Sequence, residues 1–490
     1  ACRRYIMEFD LHIKNIGKLT DARLRIGQFT VFAGPNNTGK SYVSKILYSM
    51  FDAMNANHAE VYIDDLSDLW SMSCEVSGRS EKAEALLAEL SPEIKALQDQ
   101  VMRFPVGLDN PMSDFATRMK KVRALFLEFY STMESSDANK DADPFTLVGV
   151  GDIKRSLVRL GFLSEYPGQN ESVDMDAKKV IASLAGDRIR EKLIQNFQVA
   201  DLANLRGARD APSKIDMKNL CTFDFSKRWR EFSVMSAVNE PLRTFDFSKR
   251  ELEFEMDRAW LLGGKRFSNV IYLESPVYWK LKNALEDMRM NSRYRPRRGR
   301  MRLSGIPGYF YDLASALKSE YTGDMDFHGV YEKLTGKSVL GGKIVISENG
   351  DLWFQENGHR SPLSLTAMGV VNLGILALLI ERKVLDQESF LFIDEPEANL
   401  HPAWQVVMAE SLFELVKKSS VHVVIATHSV DILKYLEVHV KENPEDKRLV
   451  ALNKFPFRED KNDEQAFDDR LVAIQQELTE PFTNLYMRGL

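Results

Sequence analysis

Residues 34–41 read Gly34-Pro35-Asn36-Asn37-Thr38-Gly39-Lys40-Ser41, a complete match to the pattern GxxxxGK[ST]. An apolar run, Phe29-Thr30-Val31-Phe32, precedes them, and residues with helical spacing follow. Glycines let the backbone fold tightly, so that N–H groups face phosphate oxygens at a helix N-terminus. The pattern predicts a strand, a phosphate-binding loop and a helix, with Lys40 on the β- and γ-phosphates and Ser41 on Mg²⁺. A plain glycine turn is the alternative.

A second apolar run ends in two adjacent carboxylates, in the order Phe390-Leu391-Phe392-Ile393-Asp394-Glu395. Four apolar residues in succession are typical of a buried parallel strand. We expect Asp394 to hold Mg²⁺ and Glu395 to orient or deprotonate the attacking water. Capping acids at an ordinary strand end are the alternative, which the upstream phosphate-binding loop disfavours.

A third apolar run, residues 421–426, ends in Thr427-His428-Ser429. A single histidine at a strand end is usually structural. Here it ends the next apolar strand after the acidic pair, where it could contact a γ-phosphate. We therefore predict a catalytic role for His428 beside Glu395.

This order of motifs resembles the ATP-binding head of the ABC superfamily, in its SMC, RecF and OLD branch. The wordings DEPEANLHP (394–402) and ATHS (426–429) are similar to those of stand-alone ATPases from prokaryotic antiphage systems such as PARIS and Septu. The resemblance covers about residues 7–54, 216–290 and 336–435. It implies an α/β P-loop NTPase head of the ABC type, with a mixed sheet and flanking helices, that hydrolyses ATP with Mg²⁺.

The resemblance also implies a signature loop that reaches the nucleotide of a second head, and hence a homodimer or higher homo-oligomer. The matching stretch is residues 362–371, which contains Gly369 but has Ala367 where a serine is expected. Thr366, Ser364 or backbone amides alone would take the place of that serine, so Thr366 and Gly369 are candidate nucleotide contacts. For the family's glutamine loop, Glu274 is only a weak candidate.

The chain divides into five predicted parts. These are residues 1–54 (first part of the head), 55–215 (helical insertion), 216–335 (β meander and an arginine-rich segment), 336–437 (second part of the head) and 438–490 (C-terminal tail, a solvated surface or partner site).

Between 80 and 134, apolar residues alternate at spacings of three and four, which predicts an antiparallel coiled-coil hairpin. Ordinary helices of a globular insertion are the alternative. Ser91-Pro92 could start a new helix and kink the arm. Asn349-Gly350 between alternating stretches predicts a β-hairpin.

Residues 289–302 hold seven arginines and no acid. Such a segment suits phosphate contacts, with Arg and Tyr able to stack on bases. The candidate DNA or RNA contacts are Arg293, Arg295, Arg297, Arg298, Arg300 and Arg302. A solvated basic loop, or a docking site for an acidic protein, is the alternative.

Composition narrows the classes of protein that this chain can be. Of its 490 residues, 44% are hydrophobic and 28% charged, which is typical of a globular protein with a sizeable core. The net charge of −6 gives no global cationic field. Cys2, Cys74 and Cys221 form no CxxC pair, and no apolar run is long enough to span a bilayer. We expect no secretory signal in Ala1–Ile6, Met7 as the natural start, no membrane partner and a cytoplasmic location.

Three functions are compatible with the ATPase that this resemblance implies. The first is a sensor or scaffold of an antiphage system that controls a separate Toprim or HNH nuclease or toxin. OLD-type and Gabija nucleases carry a Toprim domain after the head, whereas only about 60 residues follow His428 here. We therefore expect no nuclease domain in this chain. The second is a RecF- or SMC-like DNA-repair ATPase that clamps DNA. The third, a transporter subunit, fits poorly with the altered signature and the large insertion.

Overall fold

A computed structural model describes most of the head motifs and part of the insertion. The described residues are 9–55, 58–76, 80–103, 112–135, 188–200, 202–207, 214–217, 221–224, 269–274, 276–282, 305–318, 327–348, 350–419, 421–457 and 467–488, with short pieces at 150, 153–154, 156–157, 160, 233–234, 253–254 and 285. By its contacts the chain forms two compact units. Unit 1 contains residues 1–53, 189–231 and 267–490, and unit 2 contains residues 54–188 and 232–266.

The strands and helices of the described residues follow one another in this order. The strands are β1 Phe9–Ile16, β2 Leu19–Ile26, β3 Phe29–Ala33, β4 Lys214–Met217, β5 Cys221–Asp224, β6 Ser233–Val234, β7 Glu253–Phe254, β8 Val270–Leu273, β9 Gly342–Ile346, β10 Leu352–Glu356, β11 His359–Pro362, β12 Phe390–Asp394, β13 His422–Thr427 and β14 Val450–Lys454. The helices are α1 Lys40–Met54, α2 His58–Val76, α3 Glu81–Arg103, α4 Met112–Ser135, α5 Val277–Lys280, α6 Gly308–Lys318, α7 His328–Thr335, α8 Met368–Glu381, α9 Pro402–Lys418, α10 Val430–Glu442 and α11 Phe467–Arg488. Residues 188–197 are also helical.

A five-stranded parallel sheet in the order β14-β3-β13-β12-β8 forms the core of unit 1. Every residue of β3 and β13 is buried, as the unbroken apolar runs predict for strands covered on both faces. Because parallel strands end at one edge, β3, β12 and β13 deliver their carboxyl ends side by side. The predicted α/β P-loop NTPase fold with flanking helices is confirmed.

In the described part of unit 1, antiparallel strands form two smaller sheets. One has the order β2-β1-β4-β5, and the other has the order β11-β10-β9. The hairpin predicted at Asn349-Gly350 is confirmed, because β9 and β10 pair antiparallel on either side of it. Helix α8 follows β11 and is buried around most of its circumference, which accounts for the apolar run between Val370 and Ile380.

Helices α2, α3 and α4 belong to unit 2. Ion pairs join Lys82 to Glu128 near one end of the α3–α4 pair and Glu93 to Arg118 farther along, so the two helices run antiparallel. The apolar residues whose spacing alternates between three and four form one stripe on each helix, and those described are buried: Leu87, Leu90, Ile94, Leu97, Met119, Val122, Phe126, Phe129 and Met133. Helix α3 continues through Pro92 without the second helix start that Ser91-Pro92 suggests. The side chains of Val101, Phe104 and Phe115 lie outside the described residues.

The division of the chain differs from the predicted boundaries, and residues 232–266 of the predicted part 216–335 group with unit 2. Residues 189–215, assigned to the insertion on sequence, group with unit 1. The predicted tail 438–490 instead supplies β14, which extends the parallel sheet beside β3. Phe455 then donates a backbone hydrogen bond to Ala33 at 2.7 Å. A five-residue edge strand, followed by an acidic stretch, has too little periodicity to be found from sequence alone.

None of the helices in the described part of the chain is long and apolar enough to cross a membrane.

Candidate functional site

The loop between β3 and α1 has the strained backbone of a phosphate-binding loop. Gly34, Asn37 and Gly39 all have positive φ, at 152°, 66° and 102°. A Cβ atom on Gly34 would lie 2.1 Å from the carbonyl oxygen of Phe455, so no larger residue fits there. Helix α1 begins at Lys40, which places the helix N-terminus directly after the loop.

The Lys40 ammonium lies inside this loop. Its Nζ donates to the carbonyl oxygens of Gly34 at 2.8 Å and Pro35 at 2.6 Å. Burial lowers the pKa of Lys40, an effect that the negative charges of Asp394, Glu395 and Glu397 oppose. The loop therefore surrounds a cation that is positioned for a polyphosphate.

Asp394, at the end of β12, contacts the first turn of α1. Its Oδ1 accepts a 3.0 Å hydrogen bond from Ser41 Oγ, and its Oδ2 lies 3.5 Å from the hydroxyl of Tyr272 at the end of β8. Burial raises the pKa of Asp394 to about 6; Glu274 and Glu395 also raise it, while the Ser41 hydrogen bond and Lys45 lower it. A hydroxyl and a carboxylate at this distance are hard oxygen ligands of the kind that Mg²⁺ prefers.

Glu395 and His428 lie next to this pair. Glu395 has a φ of 52°, and its backbone N–H donates to Ala426 O at 2.8 Å, which fixes the turn after β12 against β13. His428 Nδ1 lies 3.8 Å from Glu395 Oε1. Both side chains are about half-exposed, so both can meet a bound molecule. The structure thus brings together the residues predicted from three separate apolar runs.

A buried acid that sequence reasoning did not assign, Glu397, joins this group. Its Oε1 accepts hydrogen bonds from Thr427 Oγ1 and from the backbone N–H of His428, both at 2.8 Å. The residue was visible in the DEPEANLHP wording, but its spacing alone gave no reason to place it beside His428.

The signature-like segment packs against the loop that follows β12. A Cβ on Gly369 would lie 2.6 Å from the carbonyl oxygen of Asn399, so this contact requires glycine. Asn372 of α8 approaches the carbonyl oxygens of Pro396 and Ala398 at 3.4 and 3.5 Å. Thr366 is buried, and its hydroxyl donates to Pro362 O at 3.1 Å. Gly369 and Thr366 are therefore tied to the second half of the head, not placed at the phosphate-binding loop of the same chain.

A second polar group surrounds Glu274, the weak glutamine-loop candidate. Glu274 follows β8, forms a 2.7 Å ion pair with Lys45 of α1 and accepts a hydrogen bond from the Tyr309 hydroxyl. The carboxylate therefore lies at the same sheet edge as Asp394. Beside Ser41, a cavity of about 340 Å³ is lined partly by Lys45 and by Tyr42, whose ring packs on Phe197.

The predicted nucleic-acid contacts lie outside the described residues. This holds for Arg293, Arg295, Arg297, Arg298, Arg300 and Arg302. The heptapeptide TFDFSKR occurs twice in the sequence, at residues 222–228 and 244–250. The second copy also lies outside the described residues, whereas the first copy begins in β5.

One comparison with known protein families matches a part of the chain that contains the candidate site residues after β12 and β13. A family model described as an AAA ATPase domain matches residues 310–433, which include Asp394, Glu395 and His428 but not residues 34–41. No curated protein matches the chain.

Three solved structures of SMC heads are similar to the chain at low levels. The first is an SmcHead bound to the C-winged helix domain of ScpA, with a TM-score of 0.35 and 10% identity over 88% of this chain and 92% of that one. The second is the SMC head domain from Thermotoga maritima, with a TM-score of 0.28 and 11% identity over 88% of this chain and 92% of that one. The third is an Smc head with an extended coiled coil bound to the C-terminal domain of ScpA from Pyrococcus furiosus, with a TM-score of 0.27 and 10% identity over 90% of this chain and 100% of that one. The family match and the geometry at the sheet edge lead to one conclusion: this chain carries an ATPase domain.

Proposed function

We propose that this chain binds Mg²⁺ and ATP at the edge where β3, β12 and β13 end, and that it hydrolyses the nucleotide there. The observation that carries the proposal is the hydrogen bond between Ser41 and Asp394, with Glu395 and His428 adjoining. A phosphate-binding loop, a strand-end aspartate and an adjacent acid are the parts that phosphoryl transfer to water requires.

Each residue has a distinct role in this proposal. The backbone amides of the loop, from Gly34 to Ser41, would bind the phosphates together with Lys40. Ser41 and Asp394 would hold Mg²⁺, which neutralises phosphate charge when bound. Glu395 orients the attacking water and accepts its proton, and His428 contacts the terminal phosphate.

Dimerisation on ATP is the second part of the proposal. Gly34–Ser41 of one head would face Thr366–Gly369 of another, with ATP between them. What supports this is the N-terminus of α8, whose amides suit an anion, and Leu365, which is 80% exposed immediately before Thr366. Because the Thr366 hydroxyl is bonded to Pro362, the backbone amides rather than this hydroxyl would contact the nucleotide.

Sedimentation analysis tests the dimer. Glu395→Gln with ATP should sediment as a dimer, because nucleotide binds but is not consumed, and should be monomeric without ATP. Lys40→Ala is the matched control and should stay monomeric with ATP. A mass that is the same in all three samples would contradict ATP-driven dimerisation.

We further propose that the ATPase acts as the sensor or scaffold of a prokaryotic antiphage system and controls a separate nuclease or toxin. The support is the wording of the motifs around Asp394 and His428. A gene for a Toprim or HNH protein beside this one, and co-purification of its product, would favour this role.

DNA clamping of the RecF or SMC kind is the alternative, favoured by the arginine-rich residues 289–302. It predicts DNA binding that requires ATP and weakens steeply with salt. Replacing the arginines of 293–302 by serine should then abolish binding. Unchanged affinity would remove this segment from the site.

A further inference from the structure

Glu397 is a buried carboxylate with no part in the roles above. Its side chain is about 5% exposed. Its Oε1 accepts from the Thr427 hydroxyl and the His428 N–H, which are consecutive residues at the end of β13. One oxygen therefore fastens the end of this strand to the loop after β12.

The same oxygen faces the His428 ring. Oε1 lies 3.1 Å from His428 Nδ1, closer than the 3.8 Å that separates Nδ1 from Glu395. In the described conformation the ring N–H is not aligned on Oε1, and Glu397 Oε2 is buried without a hydrogen-bond partner among the described residues. His428 Nδ1 is likewise buried without an aligned partner, and a small rotation of the ring would align its N–H on Oε1, which is favourable because a buried polar group without a partner costs stability.

One edge of the His428 ring is exposed to solvent and the other is buried. Its side chain is 40% exposed, yet Nδ1 itself is buried. The exposed edge is therefore the far one, which carries Nε2. Because Oε1 accepts hydrogen bonds from Thr427 Oγ1 and from the His428 backbone, it acts as an acceptor toward its surroundings, and the ring nitrogen that faces it is the one suited to carry hydrogen.

We infer that Glu397 is a positioning residue, which holds His428 with hydrogen on Nδ1 and presents Nε2 to the bound nucleotide. The inference rests on the proposed ATP hydrolysis for its kinetic consequence, though not for the tautomer itself. Carboxylates that orient a histidine through its other nitrogen act in this way in metal sites and in catalytic triads.

The loop that carries Glu397 is itself held in place. Asn372 of α8 approaches the carbonyl oxygens of Pro396 and Ala398, on either side of Glu397, and Gly369 packs under Asn399. The position of the His428 ring therefore depends, through Glu397 and its loop, on α8, the helix that follows the signature-like loop.

Nitrogen NMR of the imidazole tests the tautomer without any enzyme assay. The protein is labelled with ¹⁵N-histidine, and the signals of His428 are identified as those missing in His428→Gln. When the His428 ring is neutral, we expect hydrogen on Nδ1 and none on Nε2. Glu397→Ala should shift His428 toward the opposite tautomer. A wild-type ring protonated on Nε2, or a ring unchanged in Glu397→Ala, would overturn the inference.

Kinetics test the consequence. Glu397→Ala should lower kcat about tenfold or more while KM changes less than about threefold. Glu397→Gln keeps an oxygen for the same donors and should recover most of kcat. In a His428→Ala background, Glu397→Ala should add less than about a twofold loss, since the two residues act as a unit. Full additivity would overturn the inference.

Asp431→Asn is the matched control. Asp431 is an exposed carboxylate in the first turn of α10, three positions after His428, and its removal should leave kcat and the His428 tautomer unchanged. Thermal unfolding of each variant checks that it folds. If the wild-type protein hydrolysed no ATP, the proposed function would fail, and the NMR measurement would still decide the role of Glu397.

Discussion

Ser41 and Asp394 are 353 positions apart in the sequence, yet the hydroxyl of one donates a 3.0 Å hydrogen bond to the carboxylate of the other. The contact joins the start of α1 to the end of β12. It arises because β3 and β12 are parallel strands of one sheet, separated only by β13. The fold thus places together two side-chain oxygen atoms from distant parts of the sequence.

The first prediction concerns the metal that this pair would hold. Ser41→Ala and Asp394→Asn each remove one oxygen ligand, so each should raise the Mg²⁺ concentration for half-maximal ATP hydrolysis by about tenfold or more. A Mg²⁺ titration of the ATPase rate measures this. Ser71→Ala, which changes an exposed serine of α2, is the control. Unaltered Mg²⁺ dependence in both variants would show that the metal binds elsewhere.

The second prediction concerns Lys40. Its ammonium donates hydrogen bonds to the carbonyl oxygens of Gly34 and Pro35. Lys40→Ala should weaken ATP binding by at least about 100-fold, close to 3 kcal/mol. Equilibrium binding of a fluorescent ATP analogue measures the loss. Lys434→Ala removes an exposed lysine of α10 and should bind as wild type does; equal affinity of both variants would count against the assignment.

The third prediction tests whether β14 supports the phosphate-binding loop. Gly34→Ala would bring a Cβ to 2.1 Å from the Phe455 carbonyl, at a φ of 152°. We expect it to lower stability by about 1–3 kcal/mol and to impair ATP binding. Gly329→Ala is the control: it lies in α7, where a Cβ would meet only the end of the Lys418 side chain at 3.6 Å, an ordinary contact, so the change should be neutral or stabilising. Chemical denaturation compares the two, and equal stability would mean that residues 450–455 do not brace the loop.

The fourth prediction concerns a buried ion-pair group away from the site. Lys192 lies 2.7 Å from Asp52 and 2.8 Å from Asp312. Burial lowers the pKa of Lys192, but the two carboxylates outweigh it and the net direction is upward.

Lys192→Met removes the cation that lies between the two acids, and because both carboxylates are partly exposed it should cost about 1–3 kcal/mol of unfolding free energy. Lys82→Ala breaks an exposed pair with Glu128 and should cost less than about 1 kcal/mol. Urea denaturation gives both values. Similar small losses in the two variants would mean that the carboxylates around Lys192 are solvated.

Local sequence was sufficient to predict the strand, loop and helix around Lys40 and the apolar strands before Asp394 and His428. Unbroken apolar runs of this length fit strands covered on both faces, and the glycine pattern fits one kind of loop. Parallel strands then bring their ends together, so the convergence of these residues followed from the fold class.

Other features depend on partners that local sequence does not reveal. Strand β14 is short, and its place beside β3 depends on pairing with residues more than 400 positions away. The contacts of Glu397 depend on the turn at Glu395, whose positive φ is a property of the folded loop. The return of residues 189–215 to unit 1 likewise has no periodic signal.

The central claim is that Glu395 activates water for ATP hydrolysis at this sheet edge. A single-turnover assay with radiolabelled ATP, comparing wild type with Glu395→Gln, tests it most directly. We predict that Glu395→Gln binds ATP as tightly as wild type but hydrolyses it at least about 100-fold more slowly. Hydrolysis by Glu395→Gln at the wild-type rate would contradict the account.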